Sequence, residues 1–465
     1  VVIDSGAERH KTSLQEVKTA QRERKREERV SIMRSRGFLV LLLAMVVSSF
    51  PGGCGDSGER GGEGELVRTS RPPGQTDMLL LAQARFVQET DPETGKSRPV
   101  PAPAKLTIVQ GTGERWEVET LEDPESNVFH KAIIADVDGT GPAMLTIGAN
   151  AARLKAWRRA NGEWQARTLW APVFGGEQER LRDFEIGDVT GDGRPDVVIA
   201  THDLGVVAVL EPAPPGQEWK VHEVDRTESR TFVHEVEIGD VDGDGVVEFF
   251  VTPSAPNVLD GTPQPGRILG YRWRENGADR FEVAHFEGAH VKEILVADLE
   301  ERGHPDLYAS IEPERKRGSG GVRVEDPLII RRYRFDGGRM SETDVATFRD
   351  RQCRFLTYGD LTGDGQLELV ASTMTAGVWM LRRQDSRWVS ELVARDSETA
   401  EFEHAAIVLD LDHDGTNELY VVSDNSTQSE GMLRRFLWNG HGFDMEEITP
   451  IPPDHITFNV TGGKI

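Results

Sequence analysis

At six places along the chain a short apolar run, close to alternating, stops at an aspartate, crosses a glycine-containing turn and resumes as a second apolar run. The clearest copies are "FEIGDVTGDGRPDVVIA", "VEIGDVDGDGVVEFF", "LTYGDLTGDGQLELVAS" and "AIVLDLDHDGTNELYVV". The runs are short, rich in Val, Ile, Leu and aromatic residues, and bounded by Gly and Asp, which predicts strands joined by a tight turn and not helices. The turns begin at Asp136, Asp188, Asp240, Asp298, Asp360 and Asp410, at intervals of 52, 52, 58, 62 and 50 residues. A period of that length marks a repeat architecture.

Each period holds two further β-like runs. A third strand reads as in "VWMLRR" or "ILGYRWR", and a fourth opens near a bulky residue: Trp116, Trp164, Trp219, Phe281, Met340, Trp388 or Phe443. This second marker counts seven units where the turns count six. The termini account for the difference. "TDMLLLAQ" from Thr76 reads as the strand after a turn, with Asp77 in the last acidic position, and "HITFNVTGG" from His455 reads as a first strand with no successor. Joining them completes a seventh unit. The expected fold is all-β: a seven-bladed β-propeller of four-stranded blades over residues 76–465, closed by the C-terminal strand completing the N-terminal blade. Closure of that kind removes exposed strand edges, whereas a sandwich array or an open solenoid needs no split ends.

The turns carry the candidate chemistry. In "DVDGDGVVE" acidic side chains fall at positions 1, 3, 5 and 9, so alternation gathers them on one side of the turn while glycines permit the tight backbone. Several carboxylates with a backbone carbonyl and water suit Ca2+, and Mg2+ would take fewer protein ligands. The helix-loop-helix calcium hand is excluded, because strands flank the turn and the closing acid stands at position 9 and not 12. The pattern D-x-[DN]-x-D-G-x-x-[DE] resembles the FG-GAP or VCBS repeats, similar to the calcium-bearing blades of integrin α-subunit heads. The resemblance implies four good calcium sites: Asp188, Thr190, Asp192 and Asp196; Asp240, Asp242, Asp244 and Glu248; Asp360, Thr362, Asp364 and Glu368; Asp410, Asp412, Asp414 and Glu418. Two copies depart from it. Asp136 and Asp138 are followed by Thr140 and Met144, which implies a weak site; beside Asp298, Glu300 and Asp306 stands Arg302, whose charge can itself replace the ion. A catalytic acid pair would not recur in four similar copies, and metal-bound carboxylates do not shuttle protons.

A basic residue lies six positions before each first aspartate: His130, Arg182, His234, Lys292, Arg354 and His404, with His455 expected in the same place on the closing strand. If the first strand of each blade is innermost and runs toward the turn, these seven ring the channel mouth on the opposite face. That face also receives the long connections 85–105, 169–182, 253–266 and 312–327. The ring is therefore the expected ligand-binding site, suited to an anionic or carboxylate-bearing group. The alternative is structural, with the basic residues answering Asp183, Glu235, Glu293 and backbone carbonyls at the rim.

The first residues change the picture of location. "MRSRGFLVLLLAMVVSSFPGGC" has a basic start, an apolar run too short to span a bilayer, and small residues before Cys54. It resembles a bacterial lipoprotein signal over residues 33–53, with Cys54 as the lipidated residue and Pro51 where such signals usually carry leucine. Residues 1–32 read as a mis-assigned or untranslated leader, and the Gly/Glu/Ser-rich residues 54–75 as a flexible tether. Without residues 1–53 the chain keeps 44 Lys and Arg against 73 Asp and Glu, a balance that repels nucleic acid and anionic lipid surfaces. With Cys54 lipidated, Cys353 is the one remaining free cysteine, so no internal disulfide forms.

These features lead to an exported, lipid-anchored monomer of the bacterial cell envelope, at the outer membrane or cell surface. Calcium stabilises it, and it binds an extracellular or periplasmic protein or glycan. An enzyme is the alternative: His, Arg and Lys around the channel would suit a polysaccharide lyase acting beside a uronate carboxylate. No nucleophile elbow, HExxH or other compact catalytic signature accompanies them. A structural subunit of an envelope complex is the third reading.

Overall fold

In each blade the apolar faces of four antiparallel strands bury against the neighbouring blades, and the chain forms a ring of seven such sheets. The computed structural model describes residues 78–465 except 92–94, 112–114, 177–178, 228–229, 257–264, 276, 319–320, 325–326, 386, 396–402 and 426–428. Residues 1–77, on which the expected leader, signal, lipidated Cys54 and tether as well as Asp77 fall, lie outside the described residues. All of the described residues fall in one compact unit, and none of them is helical.

From inside outward, blade 2 consists of Phe129–Ala135, Ala143–Gly148, Leu154–Ala160 and Glu163–Trp170. Blade 3 follows with Leu181–Gly187, Asp196–Thr201, Val207–Glu211 and Lys220–Asp225, and blade 4 with Phe232–Gly239, Glu248–Ser254, Gly266–Arg274 and Gly277–Phe286. Blade 5 uses Val291–Ala297, Asp306–Ile311, Leu328–Asp336 and Arg339–Phe348; blade 6 uses Cys353–Gly359, Glu368–Thr373, Val378–Gln384 and Arg387–Ala394. Blade 7 is Glu403–Leu409, Glu418–Asn425, Ser429–Trp438 and Phe443–Ile451. Blade 1 is the composite one. Its innermost strand is the C-terminal His455–Gly463, paired antiparallel with Met78–Thr90 from Met78 opposite Gly463 to Arg85 opposite His455. Ala104–Gly111 and Trp116–Asp123 complete it. The seven-bladed fold and its split closing blade are therefore as the repeat pattern leads one to expect.

The "GD" that precedes three of the turns has a packing reason. A Cβ on Gly187 would stand 2.4 Å from Ile238 Cδ1, on Gly239 2.6 Å from Val296 Cγ1, and on Gly359 2.4 Å from Val408 Cγ1. Each glycine thus lets the next blade's inner strand close in. Between blades 2 and 3 the result is one continuous apolar layer, with Leu145 and Ile147 packed against Phe184, Ile186, Val197 and Ile199.

Alternation of strand direction separates two faces. The turns between first and second strands, with their carboxylates, share one. On the other lie the connections between second and third strands, among them two inserted hairpins, Phe86–Thr90 with Ser97–Pro101 and Arg315–Gly318 with Gly321–Val324. Loops inserted on one side of a rigid scaffold are where binding residues are commonly carried.

Candidate metal centres and the opposite face

The first aspartate of each turn organises the backbone before any ion is considered. Asp188 accepts from the N–H groups of Gly191, Asp192 and Gly193 at 2.7, 3.0 and 2.9 Å. Asp240 accepts from Gly243, Asp244 and Gly245 at 2.8, 3.1 and 2.8 Å, and Asp360 from Gly363, Asp364 and Gly365 at 2.7, 3.2 and 2.9 Å. The wrap needs positive φ at two positions, supplied by Gly243 (72°) and Gly245 (87°) in blade 4. Blade 7 places His413 at the first of these with φ 61°, and blade 5 places Glu301 there at 51°. The ninth-position acid closes the turn from the next strand: Asp196 accepts from Thr190 N–H at 2.8 Å, and Glu368 from Leu361 N–H at 2.8 Å.

Three groups of these carboxylates converge so that their oxygens lie within 4.8 Å of one another: Asp410, Asp412, Asp414 and Glu418; Asp240, Asp242 and Glu248; and Asp360, Asp364 and Glu368. Such groups have the geometry to hold a metal ion. Burial first, then neighbouring acids, push the closing carboxyls upward: Glu368 and Glu418 to about 7, Asp196 to about 6. In blade 7, Asp410 Oδ1 and Glu418 Oε1 are buried with no hydrogen-bond partner, which fits a hard cation. Calcium there would be held by Asp410, Asp412, Asp414 and Glu418.

The four loops with the full pattern are not equivalent. Asp188, Asp192 and Asp196 do not converge as the other three groups do. In blade 4 the Arg272 guanidinium lies among the acids, 2.8 Å from Asp242, 3.0 Å from Asp244, and bonded through Nε to Glu248 at 2.7 Å. Arg435 reaches Asp412 at 2.7 Å in blade 7 but stays 3.9 Å from Glu418. Arg382 of blade 6 instead approaches Glu391 at 3.6 Å. The two degenerate loops are neutralised by protein cations outright. Arg158 and Arg167 hold Asp138 in blade 2. In blade 5, Arg302 meets Asp306 at 2.6 Å, while Arg334 contacts Glu300 at 2.6 Å and Asp306 at 2.8 Å, with Arg332 also on Glu300. Arg302 thus takes the position its sequence place suggests; the third-strand arginines have no signature in the repeat itself.

The basic ring sits elsewhere than at an open mouth. His130, Arg182, His234, Lys292 and Arg354 are all 2% exposed or less. The cause is a β-bulge in each innermost strand: the ladder skips His130, Arg182, Lys292, Arg354 and His404, and slips across His234. A bulge re-aims the side chain it leaves out of the ladder. In the closing strand the skipped residue is Phe458, between Thr457 and Asn459, so His455 lies three residues out of register with the other six. His455 bonds Asp454 at 2.7 Å and faces Lys105 at 3.1 Å, while Phe458 packs on His130 with centroids 4.9 Å apart. The side chain of His404 falls outside what is described.

What covers the ring comes from the ends of the second strands. His202, which the repeat pattern does not flag, stacks on Phe232 at 4.2 Å and meets His234 edge-on at 5.1 Å. His234 Nε2 is 2.9 Å from Ser254 Oγ, Lys292 pairs with Glu312 at 2.9 Å, and His130 Nδ1 is 2.8 Å from the Leu181 carbonyl. Burial, then nearby positive charge, holds His130 and His234 well below the usual imidazole range, so both are neutral at pH 7. Below them lies an acidic belt with a structural task. The bulges free backbone N–H groups, and the neighbouring blade's acids accept them: Asp183 from Val236 at 2.7 Å, Glu293 from Leu356 at 2.6 Å. Lys131 answers Asp183 at 3.0 Å and also Glu185.

An FG-GAP-like repeat model matches residues 188–251, which span the loops of blades 3 and 4. No curated protein sequence matches the chain. Among solved structures, a protein from Lactobacillus plantarum is 11% identical with TM-score 0.51, the match covering 84% of this chain and 100% of that one. A hypothetical selenium-binding protein from Sulfolobus tokodaii is 11% identical with TM-score 0.52, covering 85% of this chain and 94% of that one. At such identity these likenesses speak for the fold alone.

Proposed function

The chain is an FG-GAP/VCBS repeat β-propeller, and from that premise we propose that it is an exported, lipid-anchored, calcium-stabilised module that binds a protein or glycan through the face opposite its carboxylate loops. One observation carries the reading: the two faces are specialised differently. On one, acids from three blades converge into cation-sized clusters. On the other lie both inserted hairpins and a cavity of about 330 Å3. Calcium in this reading pins turns, and the ring of loops above the rigid ladder meets the partner. Export and attachment through Cys54 are supported by the sequence of residues 33–54.

The lyase-like alternative takes second place, because it needs imidazoles that reach a substrate. His130, His202 and His234 are buried beneath one another and beneath Phe232 and Ser254. The test is a glycan array together with a pull-down from envelope extract, using calcium-loaded protein and a variant with the Phe86–Pro101 hairpin shortened to a turn. Binding that weakens in the variant supports the reading. Calcium-loaded protein that retains no glycan and no protein would overturn it.

A further inference from the structure

Between blades 3 and 4, on the face away from the carboxylate loops, the cavity of about 330 Å3 is walled by the end of Lys220–Asp225, the start of Phe232–Gly239 and the facing ends of Glu248–Ser254 and Gly266–Arg274. Its floor is made of valine and leucine side chains from blades 3 and 4, and its walls are polar. Asp225 is committed within the wall: its Oδ2 accepts from the Tyr271 hydroxyl at 2.7 Å and from Arg280 at 2.9 Å. Two other guanidinium groups are held loosely or not at all. Arg230 has no hydrogen bond or ion pair among the described residues, and Arg267 comes no closer than 3.8 Å to Glu282. In a chain of formal charge −25, arginines near the turns are matched to acids, as Arg272 and Arg334 are. Here cations outnumber the acid and face a concave space.

We infer that this cavity binds a saccharide unit bearing an oxyanion, whether carboxylate, phosphate or sulfate, with Arg230 and Arg267 on the anion and the polar walls toward the hydroxyls. The inference rests on reading this face as the binding face, and names its ligand. The planar guanidinium fork matches a carboxylate or phosphate in a bidentate way. The volume stands at the lower end of small-molecule sites, about 300–1,000 Å3, which suits one sugar ring and not an extended chain. A pyranose presents an apolar face to such a floor and hydroxyls to such walls. Ser254 also bonds His234, so the site adjoins the buried ring without needing it exposed.

Isothermal titration in saturating calcium tests this with galacturonate, glucose 6-phosphate, glucose and inorganic phosphate. Both acidic sugars are expected to bind, glucose at least about 30-fold more weakly, and Arg230→Ala/Arg267→Ala to lose at least about 30-fold for both. The melting temperature of the double variant should not move, since Arg267 is 51% exposed and Arg230 also faces solvent. Equal affinity for inorganic phosphate and glucose 6-phosphate would overturn the saccharide assignment. Acidic sugars bound as tightly by the double variant would sink this site and leave the binding-face reading standing. Failure of every glycan and protein in the array and pull-down would remove that reading itself.

Discussion

Raising the pH in the absence of calcium should destabilise this propeller, and calcium should reverse the effect. Asp196, Glu368 and Glu418 close their turns with carboxyls raised to about 6, 7 and 7, chiefly by burial. A carboxyl whose folded-state pKa is raised binds its proton more tightly in the folded state. Its contribution to stability is therefore complete below about pH 4 and is lost as pH rises through 6 to 7. Each shift corresponds to at most about 3 kcal/mol, and partial solvent screening at the loop edge reduces this to about 1.5 kcal/mol, so three groups give about 4–5 kcal/mol. With an unfolding entropy of about 2 cal/mol/K per residue, a chain of this size changes Tm by about 1.2 °C per kcal/mol, which makes the loss about 5 °C. Calcium at about 100 times its Kd adds about 2.7 kcal/mol per site, so two or three sites restore about 6–10 °C at pH 7.5. At pH 5 protons compete and the gain should be much smaller. Fluorescence-detected melts at a fixed scan rate, in EDTA and in calcium at pH 5 and 7.5, measure both quantities. A calcium increment equal at the two pH values, or one undiminished in the triple variant Asp196→Asn/Glu368→Gln/Glu418→Gln, would refute the reasoning.

Arg272→Met removes the cation lying among Asp242, Asp244 and Glu248; it should cost about 1–2 kcal/mol in EDTA and raise calcium stoichiometry by titration calorimetry, and unchanged stoichiometry would show that Arg272 does not compete with the ion. Lys131→Met leaves Asp183 and Glu185 without their buried counter-charge, for an expected loss of about 3–5 kcal/mol, or about 4–6 °C in Tm; a shift under 1 °C would mean the belt neutralises itself by protonation. Cys353 is buried and its thiol is pushed well up by burial, so it should resist a thiol reagent in the native protein and react on unfolding; native-state labelling at that residue would place it at the surface.

The number of blades and their closure could be read from the chain because both are matters of period: a repeated turn, a repeated bulky residue and two half-units that complete each other. The loops were also legible as far as one segment determines them, down to Arg302 beside Asp306. What escaped belongs to register between segments. Arg272 reaches the turn of blade 4 because Gly266–Arg274 pairs with Glu248–Ser254 so that Arg272 stands opposite Glu248, 24 positions back in the chain. Blade 3 has Glu211 at the equivalent place on its third strand, since Val197 pairs with Leu210, so the same turn sequence acquires no cation from that position. Identical motifs thus become unlike sites through a neighbour that the motif does not contain.

The basic ring illustrates the same point in the opposite direction. Its recurrence was real, but recurrence marks a repeated structural solution as readily as a ligand site, and here the bulge supplies the mechanism. The irregularity at His234 or Arg354 buries that side chain and leaves a backbone N–H to be satisfied, and an acid on the preceding blade accepts it: Asp183 from Val236, Glu293 from Leu356. Counting back from the turn found six of these positions and misplaced the seventh, because the closing strand has no aspartate to count from and its bulge falls at Phe458. The residues that depart from the repeat are therefore the better guide to function. Arg230, Arg267 and Arg280 stand around a cavity between two blades and answer no seven-fold rule, which is the property a site for a single asymmetric ligand requires.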